Sequence, residues 1–334
     1  MKLRHGGAVT AALSLLAMGS LAVLVAFFGR PLGHALGALS SAQPLWLCAA
    51  GTSFTLALVC SAFAWRSAFC LCGASISRVE AGARYGVGSL VNSLLPGNMG
   101  GAFRIVLFSR ALRGDDRLWV ASGIPAAVGA ARAALLAVLV LAAAGSGALP
   151  AWTALVLAAA GCAAAAACVW GRHRAPRPGR LAHLFEAFRA LGRSPGGAVR
   201  ILGWLAGSIA ARVLAVAAVA ASLGVATPVS AAFVIVPALA VTTMVALSPA
   251  GIGVTSGAVA LVLHQRGVDM TTAVAAGLAL NAVETAAGLA TGIASSLVLA
   301  FPAPVARRRT LVLVAACAFL IAAAFGVAGL ADVA

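Results

Sequence analysis

The sequence predicts an all-α polytopic membrane protein: one transmembrane domain over residues 1–334, with about seven full membrane-spanning helices and two broken, re-entrant hairpins in an inverted repeat. Three observations lead there. The chain is 63% hydrophobic and 9% charged, with a mean hydropathy of +1.07. That is more apolar surface than a water-soluble fold can bury, so a bilayer must solvate it. Its formal charge of +16 gathers in connectors beside the apolar runs. This placement marks cytoplasmic loops facing anionic head groups and argues against nucleic acid. Finally, two apolar segments, one in each half, are interrupted by glycine and proline. Broken backbone at membrane depth must be buried in protein or line a cavity, because hydrocarbon cannot satisfy its free N–H and C=O groups.

The first half, 1–171, opens with Lys2 and Arg4 ahead of an apolar run too long for a signal peptide, which becomes span 1 at about 6–29. The same two cations place the N-terminus in the cytoplasm, and the domain is expected in the cytoplasmic (inner) membrane. Span 2, about 44–65, returns the chain to Arg66 and Arg78 on the inner side. Ser77-Arg78-Val79-Glu80 reads as a capping box opening a helix to about Leu95. After the break at Pro96, Gly97, Asn98, Gly100 and Gly101, the chain is helical again to about Leu112 and reaches Arg110 and Arg113. Basic residues at both ends make 78–113 most simply a re-entrant hairpin that enters and leaves on the cytoplasmic side, with two full spans as the alternative. Spans 3 and 4 follow, at about 118–146 and 151–170.

The connector 172–200 carries seven arginines and is therefore cytoplasmic; within it, Leu181, Leu184, Phe185, Phe188 and Leu191 recur at helical spacing, as on an amphipathic surface helix. In the second half, 201–334, span 5 covers about 201–224. The segment 229–265 then enters from outside, breaks at Ser248, Pro249, Gly251 and Gly253, and re-emerges near His264 and Arg266. Spans 6 and 7, about 271–301 and 310–331, flank Arg307-Arg308-Arg309. The two hairpins thus have opposite orientation. All six tryptophans fall near span ends, as in an aromatic belt. Pairs such as Gly203/Gly207 and Gly288/Gly292 read as helix-packing positions, and the cysteines as small core residues.

Arg132, Arg212 and Glu284 lie within spans 3, 5 and 6. Each charge costs about 2.5–3.5 kcal/mol at the bilayer centre, so each must face the interior and find a partner. Arg104, just after the first break, and Arg84 add positive charge. Two readings follow: an Arg–Glu pair pinning helices together, or a cationic cavity balanced by Glu284 and awaiting an anion. A helix beginning near Asn98 aims its free N–H groups inward, and Asn92 and Asn98 offer neutral hydrogen bonds. No HExxH, GxSxG, Walker loop or GxGxxG appears, so neither an enzyme nor a metal or cofactor site is expected.

The run Gly88-Ser89-Leu90-Val91-Asn92-Ser93-Leu94-Leu95-Pro96-Gly97, followed by Gly100-Gly101 and Arg104, resembles the core motif of the lysylphosphatidylglycerol synthase transmembrane region, a flippase-like membrane family. Ser248-Pro249-Ala250-Gly251-Ile252-Gly253-Val254 is similar to its second signature, with Ser256 standing where the family usually has glutamate. The resemblance covers nearly the whole chain and implies the membrane domain alone, without lysine transfer. It implies translocation of an anionic lipid, either a phospholipid or a polyprenyl-phosphate-linked species. Arg104, Arg132, Arg212, Asn92 and Asn98 would then receive the phosphate. The alternative is a non-transporting membrane partner that presents lipid to, or anchors, a separate glycosyl- or aminoacyl-transferase.

Overall fold

The computed structural model describes residues 42–94, 99–112, 117–145, 189, 193–245 and 252–300. Regular structure among them is helical, in chain order α1 (Pro44–Leu71), α2 (Arg78–Leu94), α3 (Met99–Ser109), α4 (Arg117–Gly145), α5 (Pro195–Ser222), α6 (Pro228–Val245), α7 (Ile252–Gln265) and α8 (Met270–Ala300). Four of these, α1, α4, α5 and α8, are long and apolar enough to cross a membrane, and they are the expected spans 2, 3, 5 and 6. The expected spans at 6–29, 151–170 and 310–331, nearly all of the amphipathic segment, Pro96, Gly97 and Asn98 of the first break, and Ser248, Pro249 and Gly251 of the second lie outside the described residues.

Local chemistry fixes the helix ends. Ser194 caps α5 by accepting from the Gly197 N–H at 3.3 Å, with Pro195 pre-set for the first turn, so α5 starts earlier than hydropathy indicates and takes in Arg200. Likewise α1 runs past Arg66, whose Nε donates to the Ile76 carbonyl at 2.8 Å instead of ending the helix. Asp269 caps α8 through the backbone N–H groups of Thr272 and Thr271, and these bonds hold its carboxyl below the usual aspartate range. At α2 the expected capping box is only half made. Ser77 accepts from the Glu80 N–H at 3.2 Å, while the Glu80 carboxylate turns to Arg84 at 2.6 Å.

The element order repeats: long helix, two short helices, long helix, first as α1 to α4 and again as α5 to α8. The leading helices of the two sets, α1 and α5, pack antiparallel along their whole length. Gln43 N–H bonds to the Ser222 carbonyl at one end. Ser61 and Ser208 share a 2.8 Å hydrogen bond in the middle, and Gly197 sits against Leu71 at the other end. This pair divides the buried side chains into two cores. One gathers the first part of α1 and the last part of α5 with α6, α7 and α8; the other gathers the opposite parts of α1 and α5 with α2, α3 and α4.

Burying an apolar side chain gains little when the competing surroundings are lipid tails, so close packing must hold the helices together. The sequence supplies small residues for it. Along the antiparallel crossing of α2 and α8, Gly292 faces Leu90 and the Gly86 carbonyl, Gly288 faces Ser93, and Gly86 faces Ser295 and the Thr291 carbonyl. Gly288 and Gly292 therefore act as the packing pair that their spacing indicates. Gly203 does not: a Cβ added there would meet nothing within 4 Å. The tryptophans also divide. Trp46 and Trp119 are exposed, whereas Trp65 is partly buried and packs against the second core, with Phe69, Tyr85 and Phe108 at 5.5–6.1 Å.

Both short-helix pairs are hairpins. In the first, Arg104 on α3 reaches back to Tyr85 and Ser89 on α2, and Gly100 nests between Gly88 and Asn92. In the second, Arg266 at the end of α7 donates to Ser230 at the start of α6 at 2.7 Å, so the hairpin's two ends lie together. At 17 and 11 residues, α2 and α3 reach only about 26 and 17 Å, short of the roughly 30 Å hydrocarbon core.

Candidate functional site

The polar residues that the apolar sequence isolates along the chain come together between the two cores. Arg104 is held by α2. Its Nη2 donates to Ser89 Oγ at 2.8 Å, its Nε to the Tyr85 carbonyl at 3.3 Å, and its guanidinium stacks 3.9 Å above the Tyr85 ring. The side chain can lie so close because residue 88 is glycine; a Cβ there would collide with the Arg104 Cγ. Arg212, well inside α5, forms an ion pair with Glu284 near the middle of α8, Nη1 to Oε1 at 2.9 Å. Its Nε is buried without a partner among the described residues.

Arg132, in the middle of α4, lies within electrostatic range of Arg212, Tyr85, Glu284 and Arg104, yet makes no hydrogen bond or ion pair with another described residue. Three arginines and one carboxylate thus share one neighbourhood, leaving two positive charges in excess. The Arg212 and Glu284 side chains are 22% and 44% exposed although both sit deep within long apolar helices. Exposed charge at that depth calls for polar surroundings, because neither charge could be left against hydrocarbon. The arrangement can hold an anion: guanidinium groups match phosphate oxygens with paired N–H donors.

Of the residues expected to form the site, Arg104, Arg132, Arg212 and Glu284 are brought together. Asn92 is exposed on α2 with its Cβ against Gly100. Asn98 lies outside the described residues. Arg84 does not add to the excess charge, since Glu80 pairs with it. Ser256 donates to the Gly277 carbonyl at 3.1 Å and binds α7 to α8. Tyr85 went unnoticed in the sequence, although it is the chain's single tyrosine and lies three residues before the Gly88 motif. It is buried beneath Arg104, within electrostatic range of all three arginines. Among the described residues, no group of three or more His, Cys, Asp or Glu gathers as a metal site would require.

The first hairpin and its arginine are the elements that the glycine-rich motif encodes, and residues 8–292 match the family described as Lysylphosphatidylglycerol synthase TM region. The chain belongs to that family. The match runs from before the first described helix to within α8, so it includes both hairpins and every residue of the arginine cluster. No curated protein matches the chain. As a lysylphosphatidylglycerol synthase TM-region protein, it shares a membrane domain associated with lipid handling.

Proposed function

We propose that this protein moves an anionic, phosphate-bearing lipid between the leaflets of the cytoplasmic membrane, without chemical change to it. Arg104, Arg132 and Arg212 receive the phosphate and Glu284 balances the charge when the site is empty. The observation that carries this is Arg132, a guanidinium placed beside an existing Arg212–Glu284 pair with no bond of its own among the described residues. A purely structural ion pair has no use for a second and third cation. The antiparallel pairing of α1 with α5, and the division of the buried side chains into two cores around it, support an inverted repeat. Its two re-entrant hairpins would approach the same mid-membrane site from opposite sides.

Leaflet exchange is the direct test. Liposomes containing the purified protein should redistribute fluorescent phosphatidylglycerol faster than empty liposomes, and Arg132→Gln should slow that exchange at least tenfold while the protein remains inserted. Exchange at the background rate with wild-type protein would reject transport and leave the lipid-presenting partner of a separate transferase. Orientation has its own test in a variant stripped of native cysteines. Cysteines at Arg110 and Ser194 should be labelled only from the cytoplasmic side and one at Ala226 only from outside. Labelling of Arg110 from outside would break the first re-entrant hairpin and, with it, the inverted repeat.

A further inference from the structure

A second cationic cavity, of 570 Å³, lies where the C-terminal end of α1 meets the N-terminal end of α5, lined by Arg66, Arg78, Arg200, Phe63, Trp204 and Gly203 together with Ser67. Along α5, Arg200 is about 18 Å from Arg212 at 1.5 Å per residue, so this is not the central site. No carboxylate lines it. The nearest acidic residue in sequence, Glu80, is engaged with Arg84. Arg66 is oriented by its bond to the Ile76 carbonyl, and Phe63 and Trp204 make an edge-to-face wall at 4.9 Å. The missing side chain of Gly203 leaves the cavity open on the α5 face. Beside it, Val199 and Leu202 are exposed, an apolar surface of the kind that acyl chains cover.

Three guanidinium groups near helix ends, an indole beside them and an adjoining apolar face fit one ligand class. We propose that this cavity is a separate phosphate site, holding the head group of an anionic phospholipid in one leaflet. A free phosphate ion would use the arginines but neither Trp204 nor the apolar face.

Full-length protein in neutral detergent would be titrated with dioleoylphosphatidylglycerol, dioleoylphosphatidylcholine or inorganic phosphate, and tightly bound lipids counted by native mass spectrometry. Arg78→Gln/Arg200→Gln should lower the number of retained phosphatidylglycerol molecules by one and weaken that step at least tenfold. Gly203→Leu, which fills the cavity and keeps every charge, should do the same with the lipid-free thermal midpoint unchanged. The loss of one lipid is expected whether or not the central site retains its own, so the two sites fail separately. Equal retention by wild type and Gly203→Leu would overturn the proposal even if the double variant failed to fold. Displacement of the lipid by inorganic phosphate at equal concentration, or equal retention of phosphatidylcholine, would overturn the assignment to an anionic lipid.

Discussion

Alanine at Gly100 is expected to unseat the first hairpin. The added methyl would enter the space of the Gly88 carbonyl oxygen and would lie 2.6 Å from Asn92 Cβ and 2.9 Å from Asn92 N. Two of these three neighbours are backbone atoms and the third is a Cβ, so none can rotate away and α3 must lift off α2. Overpacking of this kind costs about 1–3 kcal/mol, and a clash with backbone belongs at the upper end of that range. The Arg104 bonds to Ser89 and Tyr85 span the same seam and would be lost with it. Gly129→Ala is the matched control, because a Cβ there meets nothing within 4 Å. Thermal unfolding in detergent should show a large drop for Gly100→Ala and no loss for Gly129→Ala. Equal midpoints would mean that the two helices are not packed as described.

Glu284→Gln is expected to trade stability for anion affinity. The amide oxygen can still accept from Arg212 Nη1, so geometry is preserved and only the charge goes. The excess among Arg104, Arg132, Arg212 and residue 284 then rises from two positive charges to three. Losing one partner of a fully buried pair costs about 3–5 kcal/mol; because the Glu284 side chain is 44% exposed, screening reduces this to about 1–2 kcal/mol. Anionic lipid supplies the missing charge, so phosphatidylglycerol should raise the thermal midpoint of Glu284→Gln more than that of wild type. Arg212→Gln/Glu284→Gln, back at two excess charges, should recover most of the lipid-free stability. If phosphatidylglycerol stabilises Glu284→Gln no more than wild type, the cluster does not receive phosphate.

Much of this was legible from the residues, for physical reasons. Hydrocarbon penalises every charge, so Arg132, Arg212 and Glu284 had to face inward, and the four long described helices follow from apolar length alone. Glycine and proline in apolar surroundings mark the hairpins for the same reason. What could not be read was pairing across the chain. Nothing local to Glu284 says that Arg212, and not Arg132, takes its carboxylate. Nothing near Arg66 says that its guanidinium turns toward a cavity shared with Arg200. Tyr85 was missed because a lone aromatic on a helix is ordinarily a core residue, and it is one. Its role here comes from the arginine that Gly88 allows to lie across its ring.

The embrace of α1 and α5 also sets a timetable for biosynthesis. The two helices meet along their full length, yet about 150 residues separate their C-terminal ends, and at roughly 5–20 residues per second the ribosome needs about 8–30 s to make them. Throughout that interval the face of α1 that α5 will cover has no partner and must wait in lipid or beside the insertion machinery. Two of its serines are prepared for the delay: Ser61 donates to the Ala57 carbonyl and Ser67 to the Phe63 carbonyl, each at 2.8 Å within α1 itself. The nascent helix therefore carries no unsatisfied hydroxyl at these positions into the bilayer, and Ser208 arrives later to share with Ser61 a hydrogen-bonding group that was already stable alone.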